Sequence, residues 1–157
     1  MGKVPWEAYS ELMKVVAQNR KARFDFEIIE TLEAGIMLTG PEVKSCRAGH
    51  VHLAGSYVSF LGDVAQLKNA KISPYGPAAE ADHKELRDRV LLLNAREAVK
   101  MRRALEEKGI SVVPLEVRVG KYIKVLLGLG RGRKKFDKRA RIKDRETSRQ
   151  VRERRNE

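Results

Sequence analysis

The sequence predicts a mainly β domain, a small antiparallel barrel with flanking helices, followed by a strongly basic tail. Three observations predict it. Short apolar or alternating runs separated by Gly and Pro recur between residues 24 and 130, the pattern of strands and turns. Only two segments, near residues 41–49 and 96–109, carry helix start and stop signals. The last 27 residues, 131–157, hold 13 Lys or Arg against 5 Asp or Glu, and so +8 of the chain's formal +12.

Residues 1–18 are an extension in which Trp6, Leu12, Met13, Val15 and Val16 sit loosely at helical spacing, which leaves a short helix or a loose arm open. From Phe24 to Leu38, FDFEIIETLEAGIML is apolar without helical period and broken at Gly35, which predicts two strands or one bent strand. Pro41 suits a first helical turn and Gly49 a stop, so PEVKSCRAG reads as a short helix. VHLAGSYVSFL and VAQLKNAKI flank Gly62-Asp63 as paired strands would, and Pro74 and Pro77 mark a loop. REAVKMRRALEEKG, residues 96–109, is the best helix, with Ala98, Val99, Met101 and Leu105 as its apolar positions. SVVPLEVRV and YIKVLLGLG then form a hairpin around Gly120-Lys121. Strands in this number with two modest helices predict a barrel over residues 19–130. Closure removes sheet edges, and the partly open OB-fold is one such architecture and a recurrent oligonucleotide binder.

The tail, 131–157, has four apolar residues, Phe136, Ala140, Ile142 and Val151. That is too little to offset ordering entropy, so it is expected to be disordered when free. Lys134, Lys138, Arg141, Arg145, Arg149 and Arg152 nevertheless recur at steps of three and four, which would place all six on one helical face suited to a polyanion. Asp137 could pair with Arg141 and Glu146 with Gln150.

Residues 1–130 carry 20 basic and 16 acidic residues, so the charge argument for nucleic acid rests on the tail. The single Cys46 excludes an intramolecular disulfide and fits a reducing compartment. No apolar run reaches the length of a membrane span and no leader pattern opens the chain, so the expectation is a cytoplasmic protein with no membrane partner. Sharper chemistry is weakly signalled. Cys46, His50 and His52 lack a fourth conventional metal ligand, and GLGRG at Gly128 lacks a full phosphate-loop pattern and reads as strand-end flexibility. The acids Asp25, Glu27, Glu30 and Glu33 would support a metal-dependent nuclease, but they do not share one strand face. A constitutive structural ribosomal protein is a further alternative.

Sequence blocks narrow the reading. NRKARFDF from Asn19, EAGIMLTGPEVKSCRAG from Glu33, ISPY from Ile72, RDRVLLLNARE from Arg87 and GLGRGRKKFDKRARIKDR from Gly128 resemble, in order and with few gaps, the bacterial SsrA-binding protein family, also called small protein B. The resemblance covers about residues 19–145. It implies an OB-like barrel that binds the transfer-RNA-like domain of transfer-messenger RNA, a non-enzymatic adaptor of trans-translation with no cofactor. Implied partners are that RNA, elongation factor Tu in the delivery complex, and the stalled ribosome, whose RNA lines the decoding site and messenger channel. The RNA-binding face implied is Asn19, Glu33 and Leu92, with Arg20, Lys21, Arg23 and Lys44 as accompanying cations. The tail motif is Lys134, Lys135, Asp137, Lys138 and Arg139, with Phe136, Arg141, Lys143 and Arg145 continuing it as a helix in the vacant messenger channel. The chain departs from the family pattern at Phe24, Cys46, Val90 and Phe136. At the last, an aromatic face is kept while the usual polar edge is lost.

Overall fold

The computed structural model of the chain describes residues 13–74 and 84–155. Its strands are β1 (Lys14–Gln18), β2 (Phe26–Ile36), β3 (Val51–His52), β4 (Tyr57–Leu61), β5 (Val64–Lys68), β6 (Lys71–Ile72), β7 (Arg89–Leu92), β8 (Ile110–Val119) and β9 (Ile123–Gly132). The helices are α1 (Arg20–Asp25), α2 (Gly40–Arg47), α3 (Ala95–Glu106) and α4 (Lys135–Arg155). Seven strands form one antiparallel sheet in the order β1-β8-β9-β2-β7-β5-β4, and β3 pairs with β6. The sheet curls until β4 lies against β8. The result is a partly open, mainly β barrel with helices outside, the fold class the sequence predicts.

Strand alternation sets the core. On β9 Val125, Leu127 and Leu129 point inward with Val112 and Val117 of β8, Leu67 of β5 and Ile72 of β6. Each such side chain contributes about 1.5–3 kcal/mol when fully buried. Helix α3 adds Met101, which is fully buried. Its inner stripe runs through Met101, Ala104 and Leu105, while Val99, expected on that stripe, is exposed. Two residues before Met101 is about 200° around a helix, so both cannot face the barrel.

A second, smaller core lies on the outside of the sheet, where Ala22 of α1 covers Val113 and Leu115 with Phe26, Ile28 and Leu126 around them. Its room comes from glycines. A Cβ at Gly128 would lie 2.8 Å from Leu115 Cδ1, and one at Gly130 2.8 Å from Phe26 Cβ. Both glycines sit within a paired strand, so the GLGRG run provides steric space there, not the strand-end flexibility expected.

Other expectations change. The 24–38 segment is one strand from Phe26, irregular between Ile28 and Glu30 and not at Gly35, and it is preceded by a helix the sequence reading did not separate. Lys14–Gln18, left open between helix and arm, is a strand paired with β8, so the sheet begins before Asn19. Trp6, Leu12 and Pro77 lie outside the described residues. Helix α2 forms as predicted, with a reciprocal cap between Thr39 and Glu42 that satisfies two orphan donors. Gly62 opens the β4–β5 turn at φ +61°, a conformation glycine tolerates best.

Helix α2 is locked to the barrel by a buried ion pair. Glu42 Oε2 accepts from Arg89 Nε at 2.6 Å, and Arg89, 0% exposed, also donates to the carbonyls of Ala70 and Glu85 at 2.8 and 3.1 Å. Arg87 Nε adds bonds to both Glu42 oxygens at 3.1 and 3.2 Å.

Candidate nucleic-acid interface

Helix α1 exists because Asn19 caps it. Asn19 Oδ1 accepts from the Ala22 amide at 3.1 Å, its Nδ2 donates to the Leu53 and Pro114 carbonyls at 3.1 and 2.9 Å, and its own amide donates to the Leu115 carbonyl at 2.8 Å. The residue is 3% exposed. Asn19, expected on the RNA-binding face, is therefore the buried anchor of α1, because every polar group it carries is already engaged inside the protein. What the helix presents to solvent are Arg20, Lys21 and Arg23, all exposed.

Cross-strand register places the remaining body residues. Glu33 of β2, Leu126 of β9, Glu116 of β8 and Gln18 of β1 lie opposite one another in one row. In the next row on the same face are Leu92 of β7, Gly35, Lys124, Arg118 and Val15. Paired residues share a face and those two apart on a strand lie on the same side, so Glu33 and Leu92 belong to one outer surface with Lys124 and Arg118. Leu92 is 54% exposed, which removes the core reading that its hydrophobicity alone would favour. It borders a groove of about 260 Å³ lined also by Gly35, Leu38, Val43, Tyr122 and Lys124. Arg47 Nη1 donates to the Gly120 carbonyl at 2.9 Å and fixes the hairpin tip beside this groove. Lys44, also on α2, is exposed.

Glu33 Oε2 lies 3.6 Å from Arg118 Nη1, Arg118 Nη2 lies 3.0 Å from Glu116 Oε2, and Glu116 Oε1 lies 3.6 Å from Arg23 Nη2. Arg118, Glu116 and Lys124 were not singled out from the sequence. The available signal was a Glu and an Arg interrupting the apolar run SVVPLEVRV two residues apart, which puts both on one strand face.

Of the tail, Arg131 and Gly132 continue β9, and Lys135–Arg155 form the 21-residue helix α4, the state expected of the tail when bound rather than the disorder expected when free. Lys138 Nζ pairs with Asp25 Oδ1 at 3.2 Å, and Arg145 lies over the Phe24 ring at 5.7 Å. These two, seven residues apart, belong to the predicted basic face, which thus rests on α1 at two points. The Arg133 amide donates to the Asp25 carbonyl at 2.9 Å and fixes the junction. Lys134, just before the helix, and Lys135, Asp137, Arg139 and Lys143 are exposed, Arg141 is half-buried, and Phe136 is 79% exposed. Among the described residues the helix has one internal ion pair, Arg149–Glu153 at 3.1 Å. The expected Asp137–Arg141 pair is not formed.

The sharper chemical alternatives lose their geometry. The acidic series is dispersed, Asp25 to Lys138, Glu30 to Lys100 and Glu33 to Arg118. Among the described residues no three His, Cys, Asp or Glu side chains gather as metal ligands. Cys46 is buried, and burial pushes its thiol up to about 11, with Arg89 opposing and Glu42 reinforcing. Among the described residues no helix is long and apolar enough to cross a membrane.

Residues 16–157 match the SmpB protein family. The SsrA-binding protein of Lactobacillus helveticus (strain DPC 4571) is 45% identical over 139 residues, 88% of this chain and 91% of that one. The SsrA-binding protein of Synechococcus sp. (strain JA-3-3Ab) is 45% identical over 141 residues, with 88% and 92% covered, and that of Anaeromyxobacter dehalogenans (strain 2CP-C) is 43% identical over 151 residues, with 96% and 93% covered. A solved chain described as "tmRNA-SmpB: a journey to the center of the bacterial ribosome" superposes with a TM-score of 0.66 at 45% identity, over 77% of this chain and 85% of that one.

Proposed function

The chain belongs to the SmpB protein family, and from that premise we propose that it is an RNA-binding adaptor of trans-translation. It binds the transfer-RNA-like domain of transfer-messenger RNA with its barrel, delivers that RNA with elongation factor Tu to stalled ribosomes in the cytoplasm, and lays its basic tail in the vacant messenger channel. It is a binding protein, and no residue is assigned a catalytic role.

The observation that carries this reading is the exposure of Glu33 and Leu92 on one outer surface, flanked by the cations of α1. Arg20, Lys21 and Arg23 hold phosphates and fix register, with Lys44 a further phosphate contact, while Glu33 accepts from base amino groups or ribose hydroxyls. Leu92 packs on a sugar or base, and Asn19 acts indirectly by fixing α1. In the tail, Lys134, Lys135, Lys138, Arg139, Arg141, Lys143 and Arg145 engage ribosomal RNA, Asp137 orients its neighbours, and Phe136 stacks on a base. Lys138 and Arg145 exchange Asp25 and Phe24 for RNA when the tail swings into the channel. A helix so short of apolar contacts gains most of its order from that partner, so it engages where the channel is empty.

Glu33→Ala tests the assignment through its sign. Removing an acid should tighten binding to RNA if only net charge matters. Loss of a charged hydrogen bond instead weakens it by roughly tenfold. A titration with the isolated transfer-RNA-like domain reads the difference, and unchanged or tighter binding by the folded variant removes Glu33 from the interface.

A further inference from the structure

Glu33 and Glu116 sit on strands either side of β9, with Leu126 between them in the row. Two strand spacings separate their backbones by about 10 Å, too far for them to share a small group. Arg118, one pleat along β8, spans the gap. Its Nε and Nη2 lie 3.1 and 3.0 Å from Glu116 Oε2, and its Nη1 lies 3.6 Å from Glu33 Oε2. The guanidinium is thus divided between two carboxylates, and Glu116, through its other oxygen, reaches Arg23 of α1 at 3.6 Å.

We infer that Arg118 is a positioning residue of the RNA-binding face, a bridge that orients the Glu33 carboxylate and, through Glu116, couples it to Arg23. The inference rests on the reading of Glu33 as an RNA contact. Side-chain exposure rises from the centre of the chain of charges to its ends: 15% at Glu116, 25% at Arg118, 35% at Glu33 and 48% at Arg23. The covered middle holds the two open ends at a fixed separation, and those ends are the groups proposed to meet RNA. Half-buried Leu126, part of the second core, lies between the two glutamates, and reduced access of water strengthens the pairs. The two acids and two bases sum to zero, so the array adds nothing to long-range attraction. Its effect is on recognition. Lysine could not replace Arg118, because one ammonium lacks the fork that meets two carboxylates at once.

The experiment titrates the full-length chain and its variants with two probes at one salt concentration: the transfer-RNA-like domain RNA and an unrelated RNA hairpin of equal length. Arg118→Lys keeps the charge, and Glu116→Gln raises it by one. Both are expected to lose roughly tenfold on the transfer-RNA-like domain, the low end of what removing a supporting partner costs at metal ligands. On the hairpin, Arg118→Lys should bind as wild type and Glu116→Gln as well or slightly tighter. Glu33→Ala combined with Arg118→Lys should lose no more than Glu33→Ala alone, since one acts through the other. If Glu33→Ala weakens binding while Arg118→Lys and Glu116→Gln do not, the bridge is overturned and the function of Glu33 stands. If Glu33→Ala is itself without effect, both fall. Equal losses on the two RNAs would reduce Arg118 to a structural residue and also overturn the inference.

Discussion

At Glu42 a single carboxylate decides how a helix sits on the barrel. Burial, the largest influence, would raise its pKa, but hydrogen bonds from Arg87, the Thr39 amide and Arg89 together outweigh it and hold the carboxyl at about 2, against an ordinary 4.5. A carboxylate depressed on folding stabilises the protein above its ordinary value, and that stability is lost as pH falls from about 4.5 towards 2. The difference corresponds to roughly 3 kcal/mol. Glu42→Gln should therefore be less stable than wild type at pH 7 by about that amount, since it leaves Arg89 buried without its counter-charge. Urea midpoints of the two proteins should converge between pH 5 and pH 2.5, and a gap that stays constant across that range would assign the loss to packing. No local pattern in the sequence announces this pair: the capping role of Glu42 is legible from Thr39 three residues earlier, while Arg89 is 47 residues away. Asn19 shows the same limit. The family resemblance marks it, but only its three carbonyl partners, two of them beyond residue 100, explain why it lies inside.

Helix α4 tests whether order along an element matters beyond its charge. Its cation spacing is legible because 3.6 residues per turn converts steps of three and four into a face. The structure adds that this face meets Asp25 and Phe24 at Lys138 and Arg145. A purely coulombic tail would be indifferent to arrangement, since about the same number of counterions is released by any permutation of the same charges. Permuting residues 135–155 at constant composition is therefore expected to leave binding of transfer-messenger RNA intact and to abolish tag addition on stalled ribosomes. Tagging at the wild-type rate by the permuted chain would make the tail a charged anchor and nothing more. Helix α1 was hidden for the opposite reason. Six residues are too few to display a period, and Phe24 and Phe26 on either side of its end read as strand.

For the molecule as a whole, among the described residues helix α4 and its junction meet the barrel and α1 through a half-exposed ion pair, a ring contact and the Arg133 backbone bond, whereas both cores lie within the barrel and α1–α3. A chain ending at Lys134 should thus fold and bind the transfer-RNA-like domain to within about 1 kcal/mol of full length at physiological salt, while failing to tag. A loss beyond about 2 kcal/mol exceeds what a few nonspecific phosphate contacts supply and would make the tail part of the primary interface. By itself the sequence determined the class of fold, most of the strands, the helices α2 and α3, the helical register of the tail and, through its blocks, the family. Those follow from period, turn chemistry and charge, which are local. Only the tertiary structure decided that β1 joins the sheet, that Gly128 and Gly130 make room for a second core, that Asn19 is inside, and that Arg118 joins Glu33 to Glu116. Each of these depends on which strands lie side by side and in what register, a relation between residues distant in the chain that no local pattern encodes.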